Sequence, residues 1–280
     1  MISFSRQNGK LSVFYNQLKI LEHSESSPMI MLKHGKESVD MYRGNFFISD
    51  DIDETLPLVS YLLGESYSEG RGVSNLTFSA EGKTFSLELS ERDGRLYLCF
   101  SPLPEPYNRL FIRLYADPLE CVWGCGEQFS HFNLRGKNYP LWTQEQGVGR
   151  NKETEITQIA DRLDRAGGDY HTTFYPQPTF VSSRRYFVHA DTYGYADFDF
   201  SNPSYHELQF WDVPASIVLS GKPSLLEVVK DVSRLLGRQQ TLPEWVYDGI
   251  ILGMQGGTST CLQKLERVQE SGMKVAGLWI

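Results

Sequence analysis

Residues 83–100 read KTFSLELSERDGRLYLCF, two runs of strict alternation separated by an Asp-Gly pair. Phe85, Leu87 and Leu89 fall on one face of the first run, and Leu96, Leu98 and Phe100 on one face of the second. Successive side chains of a strand point to opposite sides, so each run has one apolar and one polar face. Asp93-Gly94 is the kind of dipeptide that closes a tight hairpin. The spacing predicts an antiparallel hairpin with its apolar face turned inward.

The same rhythm extends in both directions. From the start to about residue 120, short runs of β-formers are separated by turn residues at roughly the 8–12-residue spacing of an antiparallel sandwich. Residues 41–48 (MYRGNFFI) read as a further strand interrupted by Gly44. The connector SPLPEP at 101–106 excludes a central strand, because proline cannot donate to a ladder. RLFIRLY at 109–115 then resumes the pattern, and residues 185–189, 195–200, 205–211 and 215–219 supply the later strands.

Between these runs lies GCGEQFSHFNLRGKNYPLWTQEQGVGRNK, residues 124–152, with neither a two-residue nor a helical period. It reads as a structured loop system, in which Gln128, Asn133, Asn138, Gln144 and Gln146 can satisfy backbone groups that no ladder pairs. Residues 167–179 (GGDYHTTFYPQPT) are again turn-forming and aromatic. There is no internal repeat.

The period changes at Pro223. Leu225, Leu226, Val229, Val232, Leu235 and Leu236 recur at three-to-four spacing and Gly237 follows as a C-cap, which predicts an amphipathic helix over 223–236. Beyond a Pro-containing linker come an apolar run at 250–253, a helical pattern from about 258 to 271 capped by Gly272, and VAGLWI at 275–280. Strand, helix, strand is a βαβ unit, which implies a parallel sheet covered on both faces. One such unit leaves edges and apolar surface unmet, so the expectation is a β-sandwich domain over 1–240, closed by the helix 223–236, and an incomplete second fold over 241–280.

Composition narrows the function. A net charge of −8 over 280 residues argues against nucleic acid or an anionic membrane as partner. The N-terminus has no apolar run after a basic start, and no stretch is long and apolar enough to span a bilayer, so a soluble cytoplasmic protein is expected. Cys99, Cys121, Cys125 and Cys261 form no CxxC pair and the six histidines have no ligand spacing, so reduced thiols and neither metal nor cofactor are expected. Abundant Tyr, Phe and Trp suit strands, and also surfaces on which sugars stack.

Four blocks in one order carry a resemblance: CGEQFSHFNLRGKNYPLWTQEQGVGRNK, AGGDYHTTFYPQPTFVS, NPSYHEL and LGRQQTLPEWVYDGIILGMQGGT. With them the chain resembles the N-terminal portion of glycoside hydrolase family 31, the α-glycosidases built on a (β/α)8 barrel, and within it the bacterial sulfoquinovosidases. The resemblance implies a mainly β fold. A galactose-mutarotase-like antiparallel β-sandwich would be followed by the first βαβ unit of a truncated TIM barrel, with the loop of 124–152 forming one wall of a sugar pocket. It implies an α-glycoside substrate, plausible as a sulfonated sugar. The family's two catalytic aspartates fall beyond Ile280, so no catalytic residue is assigned within the chain and the 280 residues alone are expected to be inactive. The rival expectation is a stand-alone carbohydrate-binding or protein-interaction sandwich.

The same resemblance selects candidate substrate-binding residues. Gln255, at the end of the first barrel strand, can hydrogen-bond a sugar hydroxyl or brace the Gly256-Gly257 turn. Glu145 can accept from hydroxyls or remain a solvated or salt-bridged carboxylate. Arg150 can attract an anionic sugar or pair with Glu145 or Glu153. Trp142 can stack on a sugar face or pack against protein. Glu127 is expected to be a buried acceptor of loop N–H groups, and Asp169 and Asp248 to serve turns.

Overall fold

A computed structural model describes residues 1–68 and 71–280 of the chain. They form two compact units, Met1–Val232 and Ser233–Ile280. The strands of the first half are β1 (Ile2–Gln7), β2 (Lys10–Tyr15), β3 (Leu18–His23), β4 (Ile30–Tyr42), β5 (Asn45–Pro57), β6 (Ser60–Ser68), β7 (Arg71–Ala80), β8 (Lys83–Arg92), β9 (Arg95–Phe100) and β10 (Arg109–Tyr115). Next come β11 (Val122–Gly126), β12 (Asn138–Leu141), helix α1 (Glu155–Asp164), β13 (Pro176–Ser182), β14 (Tyr186–Asp191), β15 (Ala196–Asp199), β16 (Tyr205–Phe210), β17 (Ser216–Gly221) and helix α2 (Leu225–Leu236). The second unit carries β18 (Ile250–Gly253), helix α3 (Gly257–Glu270) and β19 (Val275–Trp279).

In the first unit an eight-stranded sheet, β11-β13-β14-β17-β9-β8-β7-β6, and a six-stranded sheet, β12-β15-β16-β10-β4-β5, are antiparallel, with a three-stranded sheet β1-β2-β3 beside them. The β8–β9 hairpin forms in the expected register, Leu89 opposite Leu98 and Leu87 opposite Phe100. Its turn residues Asp93 and Gly94 have φ of 51° and 69°, positive at both central positions as a hairpin of this hand requires. The two large sheets meet through their apolar faces. Phe180 of β13 lies edge-on to Phe198 of β15 at 6.2 Å and to Phe200 at 5.2 Å, and all three are fully buried. Burial of side chains of this size stabilises by roughly 1.5–3 kcal/mol each, so this aromatic seam holds the sheets together.

Several local expectations are corrected. Gly44 does not interrupt a strand: Arg43 and Gly44, with φ of 52° and 81°, form the turn of a long hairpin, β4 and β5, paired from Met31–Pro57 to Tyr42–Asn45. Residues 124–152 are not loop throughout, since β11 ends in them and β12 lies within them. Helix α1 follows directly, and α2 begins at Leu225 because Ser224 caps it, its hydroxyl accepting from the Glu227 N–H at 3.3 Å.

One feature of the six-stranded sheet governs the site. β4 pairs with β10 only over Ile30–Lys33, and the ladder shifts register between His34 and Gly35. Beyond that point β4 and β5 continue as a two-stranded arm. Asp50 on the arm accepts from Arg109 (Nε at 2.9 Å, Nη2 at 3.0 Å), from Gln209 Nε2 at 3.2 Å and from Trp211 Nε1 at 3.0 Å, fastening the arm across β10 and β16. A Cβ on Gly35 would lie 2.7 Å from Ile52 Cδ1 and 2.9 Å from Asp50 Oδ1, so an added methyl would displace these two side-chain ends at the bend.

Helix α2 is tied to the sandwich by Asp231, which is buried between Arg95 at 2.8 Å and Lys222 at 3.1 Å. In the second unit β18 and β19 are parallel, Leu252 opposite Leu278, with α3 between them in sequence. Gly249 permits their close start, because a Cβ there would stand 2.5 Å from the Lys274 carbonyl oxygen. Among the described residues no helix is long and apolar enough to cross a membrane, and no group of His, Cys, Asp or Glu could hold a metal ion. All four cysteines are free thiols, and burial pushes the Cys125 thiol well up.

Candidate functional site

Two glycine-rich segments, residues 142–152 and 166–175, run side by side in the first unit. Gln144 N donates to the Thr173 carbonyl at 3.0 Å, Val148 N to Ala166 O at 2.8 Å, and Gly168 N to Val148 O at 3.0 Å. A Cβ on Gly168 would lie 2.2 Å from Gln146 O and one on Gly147 2.5 Å from Gly168 N, so only glycines allow the two backbones this separation. Arg150 locks the pair. Its Nε donates to Ser130 Oγ at 2.9 Å, its Nη2 to the carbonyls of Tyr170 and Thr172 at 2.9 and 2.8 Å, and its guanidinium lies over the Phe129 ring.

Helix α1 and the arm are tied to this pair by ion pairs and hydrogen bonds. Asp161 on α1 accepts from Gly167 N at 2.9 Å and from Lys152 Nζ at 2.9 Å, while Lys152 also donates to Gly167 O at 2.8 Å. Asp164 pairs with Arg43 at 2.7 Å, and Arg165, just past the helix, pairs with Asp40 of the arm. At the tip, Glu145 N donates to Gly44 O at 2.9 Å.

The arm and the two segments line an open cavity of about 500 Å³, walled by Phe46 and Phe47 of the arm, Trp142, Gln144, Asp169, His171 and Tyr195. Trp142 meets Phe46 edge-on at 5.7 Å and Tyr195 at 6.1 Å, and Tyr195 in turn stacks on Trp211 at 4.3 Å. A second concavity of about 350 Å³, lined by Pro176, Pro178 and Tyr193, shares Trp142 and Phe46, so the indole divides two spaces. His171 Nδ1 is buried and makes no hydrogen bond among the described residues. Burial pushes the His171 pKa down, which keeps the ring neutral near pH 7.

The structure therefore brings Trp142 into the wall of a cavity. Glu145 lies one residue outside the lining; it is exposed, and a Cβ on Gly44 would approach its Cγ to 2.9 Å. Arg150 pairs with neither Glu145 nor Glu153, because backbone carbonyls and Ser130 take its donors. Gln255 is in the second unit, exposed after β18, its carbonyl accepting from Lys264 Nζ at 3.0 Å. Glu127 is exposed, not buried; its own backbone N–H donates to Tyr175 O at 2.8 Å. Asp169 is a turn residue as expected, accepting from Tyr170 N at 2.7 Å, and it also faces the cavity. Phe46 and His171 were not singled out by the sequence. The only signal for them was the aromatic character of FFI at 46–48 and of DYHTTFY at 169–175.

No family model matches the sequence. A sulfoquinovosidase of Escherichia coli K12 is 42% identical over 284 aligned positions, which cover 99% of this chain and 40% of that protein. A sulfoquinovosidase of Agrobacterium fabrum is 43% identical over 260 positions, covering 93% of this chain and 38% of that protein. A solved structure of an E. rectale family 31 sulfoquinovosidase, in complex with an aza-sugar inhibitor, superposes with a TM-score of 0.83 at 39% identity, covering 99% of this chain and 40% of that one. A Listeria monocytogenes protein at 10% identity and a TM-score of 0.58 shares the fold alone. The chain spans about two fifths of the length of the curated relatives it matches. It aligns with sulfoquinovosidases as the N-terminal portion of their length, and it belongs to glycoside hydrolase family 31.

Proposed function

We propose that these 280 residues are the N-terminal portion of a retaining α-glycosidase that hydrolyses sulfoquinovosyl glycosides in the cytoplasm. The observation that carries the reading is the 42% identity with a sulfoquinovosidase across 99% of the chain. In this reading β18, α3 and β19 open a (β/α)8 barrel, whose active site forms at the C-terminal ends of its strands. Retaining hydrolysis needs a nucleophilic carboxylate and an acid/base carboxylate about 5 Å apart. Both are assigned to later barrel strands, so the 280-residue chain alone is inactive, and no metal or cofactor takes part.

The sandwich would then shape the sugar pocket rather than perform the chemistry. Gln255, one residue beyond Met254 after the first barrel strand, and Glu145, held at the arm's tip, are assigned hydrogen bonds to the substrate. Trp142 supplies an aromatic wall. Arg150 serves the substrate through the loop it braces, since its donors are engaged by Ser130, Tyr170 and Thr172.

The test is hydrolysis of a nitrophenyl α-sulfoquinovoside by the 280-residue chain and by a longer polypeptide that continues it through a barrel. Only the longer protein should release nitrophenol. In it, Gln255→Ala and Glu145→Ala should each lower kcat/KM by about tenfold, the cost of one hydrogen bond to a bound polar group. Turnover by the short chain that vanishes on changing Glu145 or Glu127 would overturn the assignment.

A further inference from the structure

Helix α1 lies on its own unit by its polar side. Thr157 is fully buried against the loop, where a Cβ on Gly149 would collide with its Oγ1, and Asp161 is held by Gly167 N and Lys152. The opposite side is apolar. Ile156, Ile159 and Leu163, at i, i+3 and i+7, are 61%, 40% and 80% exposed. Surface helices ordinarily turn such a stripe toward a core, whereas this one points away from Thr157 and Asp161 into solvent. Val148, also exposed, lengthens the stripe, since it precedes Gly149, where a Cβ would lie 3.5 Å from Ile156 Cγ2. The helix is not free to roll the stripe inward, because Asp164 pairs with Arg43 and Arg165 with Asp40.

The charges beside the stripe select what can cover it. Glu155 and Arg162 stand a heptad apart on one flank, both exposed, and neither makes an ion pair or a side-chain hydrogen bond among the described residues. A surface of single sign would oppose one of the two. Two α1 helices packed antiparallel about a two-fold axis instead set Glu155 of each beside Arg162 of the partner subunit, so the flank complements itself twice. In that register Ile156 meets Ile159 of the partner subunit on both sides of the axis, and Leu163 reaches toward the partner's Val148. We infer that this stripe is a contact between two copies of the chain, formed by antiparallel packing of their α1 helices. It spans about three turns of each helix, below the size of a standard stable interface, so the association is weak and concentration-dependent. The inference does not rest on the function proposed above, since α1 lies wholly within Met1–Val232 and no reacting group takes part.

Sedimentation equilibrium of the 280-residue protein from about 10 to about 500 μM, a range suited to a weak interface, reads the association. The wild type should pass from monomer to dimer and stop there, because a two-fold contact is closed. Ile159→Glu, a change at an exposed helical position beside the axis, should weaken dimerisation by about tenfold or more without lowering the thermal midpoint. Glu155→Arg and Arg162→Glu should each weaken it by roughly three- to tenfold, and the two changes together should restore it. The combined variant is the least favourable for the helix dipole, so its recovery cannot come from a firmer helix. A wild type that stays monomeric to the top of the range, a dimer indifferent to Ile159→Glu, or a combined variant no better than the single ones would each overturn the inference. Association through the exposed Ile251 and Trp279 of the second unit would give the second of these results. Release of nitrophenol by a longer polypeptide is independent of all three, so the two readings fail separately.

Discussion

The two units use the same kinds of residue to opposite effect. In Met1–Val232, Phe180, Phe198, Leu208 and Val188 are fully buried between antiparallel sheets. In Ser233–Ile280, Met254 and Cys261 are the buried apolar residues among those described, while Ile251 is 55% and Trp279 77% exposed. The antiparallel sheets close on one another through one face each. A parallel βαβ pair is built to be covered on both faces, and its own helix covers only part of one. The difference is one of layers: the apolar side chains of the first unit meet a facing sheet, and Ile251 and Trp279 meet none among the described residues.

The largest effect expected from that difference is at the aromatic seam. Phe180→Ala should cost about 3–5 kcal/mol, because the surrounding rings relax only partly into the space. Ile251→Ala in the same chain should stay within about 0.5 kcal/mol, as at other exposed positions. Denaturant titration of both variants checks the pair, and equal losses would break the comparison.

Acid sharpens it next. Glu120 is buried in the first unit, where Tyr186 Oη donates to it at 2.6 Å, Ser182 Oγ donates to it, and His206 Nε2 lies 3.4 Å away. Burial alone would raise its pKa, but these partners outweigh it and hold the carboxyl at about 2, below the ordinary 4.5. A lowered folded pKa means that the stabilisation is present above pH 4.5 and drains as pH falls toward 2. The amount is on the order of 3 kcal/mol. Unfolding followed from pH 7 to 2 should therefore show the first unit losing stability in that window. Glu120→Gln should flatten the loss there, at the expense of a less stable protein at neutral pH. An unchanged pH slope in the variant would remove Glu120 from the explanation.

The arm is the part of the first unit that most resembles the second, since β4 and β5 pair only with each other beyond Gly35. Gly35→Ala should cost about 1–2 kcal/mol as the new methyl displaces Ile52 and Asp50. It should also change Trp211 fluorescence, because Asp50 accepts from that indole. Hydrogen exchange gives the gentlest test. Amides of β10 and β16 should exchange slowest, those of the arm at an intermediate rate, and those of β18 and β19 fastest. Protection of β18 equal to that of β16 would show that exposure does not rank these elements.

Much of this architecture is legible in the residues themselves. The alternation of 83–100 and its Asp-Gly turn give the β8–β9 hairpin without help, and the change of period after Pro223 marks the helix and the parallel pair. Gly44 is ambiguous in sequence because a glycine inside an apolar run signals a break and a turn equally, and the left-handed Arg43 beside it leaves no mark in composition. Helix α1 carried its signal, Ile156, Ile159 and Leu163 at helical spacing after Thr154, but it lies inside a segment otherwise dominated by glycine and amides. The cavity was the least visible. Phe46 and Trp142 meet only because the arm bends back over the sheet, and no local pattern encodes a contact between distant segments.

The arm's pairing has a consequence for how this molecule can vary. Past Gly35 no third strand shares the ladder, so adding or removing two residues on each side of the Arg43-Gly44 turn would change its length while every side chain kept its face. The reach of the arm over the cavity is thus adjustable in steps of one residue pair per face, with the sandwich beneath it left in register.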